Sequence, residues 1–212
     1  MTSPLGRDYT LAFQLAAEHV AAQRPQEIAR RSGAFAEENR GRIYLTLEML
    51  GRRYVIPHPQ VDVRFADSPE DVPLWIKVLV LHYLERASAE RLTGEMVTFQ
   101  EVESGTFFLP FFRERVLGPL VDHFGCRPEA MVDAAKSAYN GEERERGDVS
   151  VTVFAFPYVP ATLVLWRGDE EFQPQGSILF DSTVSKSLPT EDLTTLCQLL
   201  VQGLIEADQQ RR

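Results

Sequence analysis

The stretch Val149-Ser150-Val151-Thr152-Val153-Phe154-Ala155-Phe156 decides the fold. Four of its side chains are β-branched and two are aromatic, which suits a pleated strand and not a helix turn. Pro157-Tyr158-Val159-Pro160 follows as a kinked connection, and residues 162–166 read as a second strand. Gly168-Asp169 turns the chain and residues 177–181 read as a third strand. Short strands joined by short turns form an antiparallel group.

Outward from this group the chain becomes helical. Downstream, Thr190 caps a helix over 190–207, with Leu193, Leu196, Cys197, Leu200 and Leu204 as its buried stripe. Upstream lie a charged loop over 141–148 and two helices, over 128–139 and 117–124. Residues 99–117 are aromatic-rich and carry no clean period. Residues 73–87 are apolar nearly all round and predict a central helix.

A second strand group precedes that helix. Ile43, Leu45 and Leu47 alternate with polar neighbours, Leu50-Gly51-Arg52 turns, and residues 53–56 return as a hairpin. Residues 61–65 read as an edge strand. At the start, Tyr9, Phe13, Ala16 and Val20 form one stripe of a helix over 8–22, and a polar helical turn then runs to Gly33. Antiparallel strand groups packed with helices, one of them central and apolar, predict the α+β class. The expected organisation is a single domain over 1–212, with a helical segment over about 8–33 packed on it.

Composition narrows the function. The 22 Lys+Arg against 31 Asp+Glu give a net charge of −9, and the basic residues are scattered. Such a field repels nucleic acid and anionic membrane surfaces, so neither is expected as a partner. Cys126 and Cys197 belong to no CxxC pair, which removes zinc-ribbon and iron–sulfur readings; two reduced thiols are expected, with a lone disulfide as the alternative. The first residues lack the apolar region of a signal peptide, and no run is long enough for a membrane span, so the cytoplasm is expected. Phosphate-loop, dinucleotide, zincin and nucleophile-elbow motifs are all absent.

Two places carry chemistry. His82, on the central helix, is suited to act as a base, a metal ligand or an axial ligand to a tetrapyrrole; the bland alternative is a core histidine bonded to a carbonyl. In Trp166-Arg167-Gly168-Asp169-Glu170-Glu171-Phe172 a strand delivers an aromatic and an arginine, and three carboxylates follow a turn. Asp169, Glu170 and Glu171, with Asp181, are a candidate metal set; the bland alternative is a solvated turn with Trp166 and Phe172 packed below it. The aromatics Phe107, Phe108, Phe111 and Phe112 line either a ligand pocket or the core, the core being the simpler reading. His58 and His123 read as surface residues.

Several segments together resemble a known family. They are Leu81-His82-Tyr83-Leu84-Glu85-Arg86-Ala87, Gly118-Pro119-Leu120-Val121-Asp122-His123-Phe124, and the run from Leu163 through Trp166 to Phe172. Ile178-Leu179-Phe180-Asp181 and Leu188-Pro189-Thr190-Glu191-Asp192-Leu193 complete the likeness. Over roughly residues 40–206 the chain is similar to the domain-of-unknown-function family numbered three-seven-eight-six. The resemblance implies a setting in anaerobic bacteria and archaea, where some members are fused to a corrinoid-type iron–sulfur segment. This chain lacks those cysteines, so no cluster of its own is expected. The resemblance thus implies corrinoid or one-carbon metabolism, with a corrinoid or iron–sulfur protein as partner. The leading expectation is a ligand-binding or accessory protein taking a tetrapyrrole or corrinoid between helix 73–87 and the strand group over 149–181, through His82, Trp166, Asp169 and Glu171. A metal-dependent enzyme and a protein-interaction module are the alternatives.

Overall fold

A computed structural model describes residues 8–88 and 90–211. The chain is α+β, and contacts divide it into two compact units. The first unit is Met1–Arg91 with Lys186–Pro189; the second is Leu92–Ser185 with Thr190–Arg212.

In the first unit, α1 (Thr10–Ala21) begins after Asp8, whose carboxylate accepts the Thr10 amide at 2.9 Å. α2 (Pro25–Ser32) ends at Gly33. Four antiparallel strands follow in spatial order: β1 (Phe35–Asn39), β2 (Arg42–Met49), β3 (Arg52–His58) and β4 (Arg64–Phe65). The β2–β3 hairpin closes through Leu50 and Gly51, both at positive φ, as a two-residue turn of the I′ kind requires. α3 (Leu74–Arg86) buries Trp75, Ile76, Val78, Leu79, Val80, Leu81, Tyr83 and Leu84, and is therefore the central apolar helix expected. Tyr83 donates to the Ser32 carbonyl at 2.8 Å, which ties α3 to the end of α2.

The second unit is a five-stranded antiparallel sheet dressed with helices. It contains β5 (Met96–Thr98), a 3-10 turn (Phe99–Glu101), α4 (Gly105–Phe112), a π-helical turn (Arg113–Leu117), α5 (Gly118–Phe124) and α6 (Pro128–Tyr139). Then come β6 (Glu142–Arg144), β7 (Val149–Phe156), β8 (Val159–Trp166), β9 (Gln175–Asp181) and α8 (Thr190–Gln210), while the one-turn α7 (Val184–Ser187) is divided between the two units. The strand order is β5-β9-β8-β7-β6. The deciding stretch is β7, and it pairs with β8 from Val149↔Leu165 to Phe156↔Val159. The connection is tighter than the sequence suggests: Val159 and Pro160 already belong to β8, and the turn is only Pro157-Tyr158. β8 is buried everywhere except Trp166, as expected of a central strand. α8 buries the predicted leucine stripe.

Candidate functional site

β9 has seven residues, and its neighbour β5 has three. β5 covers only Leu179, Phe180 and Asp181. Gln175, Gly176, Ser177 and Ile178 are paired with β8 on one edge, and among the described residues no strand lies along the other. Every second residue of that stretch aims its amide and carbonyl at the open side. β5 stops where it does because Thr98 turns away. The Thr98 amide and hydroxyl both donate to the Glu101 carboxylate at 2.8 Å, a capping box that starts the 3-10 turn. The backbone and then the side-chain hydrogen bond from Thr98 hold the Glu101 carboxyl below its ordinary pKa.

The opposite wall is a helix forced out of shape. Pro119 has no amide, and its ring clashes with the carbonyl four residues back. The turn before it widens, so that the Gly118 amide reaches the Arg113 carbonyl in place of the usual partner. π-turns of this kind occur frequently at functional positions. Phe112, just before it, is buried and stacks on Phe99 with centroids 3.8 Å apart and planes within 9°. That pair joins the helix to the 3-10 turn. α5 then seats against β9 at Gly176, where a Cβ would stand 2.9 Å from Val121 and 3.2 Å from Leu165.

Between the β9 edge and the helix lies a groove of about 390 Å³. Leu109, Phe112, Leu117 and Ile178 supply its apolar surface; Thr98, Gln100, Gln175 and Ser177 are polar. Arg113 lines it with a guanidinium that makes no hydrogen bond or ion pair among the described residues. Among the described residues, no hydrogen bond reaches residues 175–178 on the open side. The arrangement offers hydrogen-bonding backbone, an apolar floor and a positive charge in one place. It contains no pair of titratable groups suited to general acid–base work.

The residues expected from sequence fall elsewhere. His82 is half-buried on α3 in the first unit. Trp166, Asp169 and Glu171 belong to the second unit, in and after β8. Asp169 accepts the amides of Phe172 at 2.7 Å and Glu171 at 2.8 Å, and these bonds hold its pKa down. It closes a solvent-exposed turn. Trp166 and Phe172 are exposed and do not pack below that turn as the solvated-turn reading expects. Arg167 is paired with Glu129.

The four-carboxylate metal set is not assembled. Asp181 stands six residues along β9 from Gln175, about 20 Å at strand spacing. Its carboxylate takes the Gly94 amide at 2.7 Å and the Thr183 amide and hydroxyl at 3.1 and 2.8 Å. Burial raises the Asp181 pKa, but these bonds outweigh it and the net shift is downward. Among the described residues, no group of three or more His, Cys, Asp or Glu side chains could hold a metal ion. His123 is likewise not a surface residue: it bonds Asp208 at 2.8 Å, and Arg127 reaches the same oxygen at 3.0 Å. Of the expected aromatic core, Phe112 is buried, whereas Phe107 and Phe111 are exposed.

The model of the family described as Domain of unknown function (DUF3786) matches residues 24–203. The chain belongs to that family. No curated protein and no solved structure matches it. Every residue lining the groove of this DUF3786 member lies within the matched span, as do His82 and the turn after Trp166. Asp208, which anchors His123 and Arg127, lies beyond it. Among the described residues, no helix is long and apolar enough to cross a membrane. Cys126 and Cys197 are free, the latter buried, and burial pushes its thiol pKa up.

A three-residue strand cannot cover a seven-residue neighbour, and Pro110 and Pro119 distort the helix laid over the remainder.

Proposed function

We propose that this chain is a binding or accessory protein, and that the groove beside β9 is its binding site. The supporting observation is that the unpaired stretch 175–178 and the unpartnered Arg113 face the same apolar-floored groove. Buried or half-buried backbone groups are normally paired, so an open edge under a helix is an unmet requirement that a ligand can meet.

The setting proposed is corrinoid-linked one-carbon metabolism, which rests on the family resemblance. A groove of about 390 Å³ lies at the low end of ligand pockets, which run to about 1,000 Å³. That size favours a small ligand, or a short piece of a larger partner, over an enclosed macrocycle. The role proposed is therefore attendance on a corrinoid or iron–sulfur protein.

Amide NMR of the full chain with hexanoate and benzoate as probes tests the site. The expected result is millimolar binding with shifts clustered at residues 175–178 and Arg113, abolished by Leu117→Trp, which fills the groove. Silence from both probes and from short peptides, or shifts that Leu117→Trp leaves unchanged, would overturn the reading.

A further inference from the structure

The groove has a shape that selects among ligands. Its long wall is a strand edge and not a set of side-chain pockets. The open stretch of four residues is about 13 Å long. An extended polypeptide segment laid there would continue the track that β5 abandons at Thr98, and would bond the alternate amides and carbonyls of residues 175–178. Apolar side chains on one face of such a segment would meet Leu109, Phe112 and Leu117.

The track is also blocked. β5 occupies it from Thr98 onward, and the Thr98–Glu101 capping box fixes that boundary. A strand passing through has nowhere to go, so the groove suits the end of a chain. Arg113 decides which end. An arginine pairs well with a carboxylate, often through two parallel bonds, and repels an ammonium. Arg113 has no acidic partner among the described residues, whereas Arg167 is held by Glu129 and Arg127 by Asp208.

Resting on the binding reading above, we propose that the groove captures the C-terminal residues of a partner protein by strand addition along residues 175–178, with the terminal carboxylate held by Arg113. The partner's tail is apolar over its last few residues and ends in a free carboxylate. The remainder of the partner stays outside, which reconciles a small groove with a large client.

The experiment uses the full chain and N-acetylated tetrapeptides of valine, threonine and leucine, followed by amide NMR. With a free C-terminus, such a peptide shifts the amides of Gly176, Ser177 and Ile178. Capping the terminus as an amide, or N-methylating alternate peptide nitrogens, weakens binding at least about tenfold, the loss expected for a charge-assisted bond or a strand pair. Arg113→Gln erases the preference for the free carboxylate, and Glu114→Gln keeps it. Equal affinity for the N-methylated peptide overturns strand addition. Equal affinity for an amide-capped peptide with an internal aspartate overturns end capture. Hexanoate binding as tightly as the peptide makes the groove a small-molecule site, which leaves the binding reading standing and this one not. Silence from every probe removes both.

Discussion

Two neighbouring stretches of the second unit handle their polar groups in opposite ways. In the turn after β8, Asp169 accepts two backbone amides and Arg167 pairs with Glu129. In the groove, the strand edge over residues 175–178 and Arg113 have no protein partner among the described residues. The turn looked like the functional site because its charges are conspicuous in sequence. Asp169 and Arg167 are already engaged and Glu170 and Glu171 stand in solvent, whereas the groove leaves a half-buried edge open.

The largest effect that sharpens this contrast is Phe112→Ala. It removes a buried ring stacked on Phe99 and should cost about 3–5 kcal/mol in chemical denaturation. Peptide binding should vanish with the groove floor. Next comes Asp181→Ala, expected to cost about 2 kcal/mol because it strands the Gly94 and Thr183 donors. A loss that depended on added divalent cation would instead restore the metal reading.

Acid separates the two stretches further. Asp169 and Asp181 both have pKa values below the unfolded value of 3.8. Their contribution is complete above that value and is lost as pH falls through the lower, folded values. Amide shifts of Glu171, Phe172 and Thr183 should therefore move together only below about pH 4. Movement near pH 6 would contradict the hydrogen bonding described. The smallest effect is Glu170→Gln with Glu171→Gln, which should leave both melting temperature and peptide affinity unchanged. A measurable loss of binding would return the acidic turn to the site.

Legibility in the sequence followed the strength of the local pattern. The β-branched and aromatic content of β7 and β8 marks them as buried strands, and the period that burial imposes marks the helix over 128–139 and the leucine stripe of α8. β1 escaped notice because Phe35-Ala36-Glu37-Glu38-Asn39 is an exposed edge strand, where no period is imposed. Likewise, Glu142–Arg144 is β6 in the charged stretch read as a loop. The 99–117 region was opaque for a different reason. Its helix, with Pro110 inside it, passes into a π-turn, so the side chains follow no single period. The groove could not be read at all from local pattern. It exists because β5 ends three residues after it starts, and that is a fact of pairing between segments about eighty residues apart.

Amide hydrogen exchange along β9, without and with the free-carboxylate tetrapeptide, tests the central claim most directly. In the free chain, alternate amides within residues 175–178 should exchange fast while those of Leu179, Phe180 and Asp181 are protected. On peptide addition the fast amides should slow, with those of Glu171 and Phe172 unchanged. Uniform protection of β9 in the free chain, or slowing confined to the acidic turn, would contradict the account.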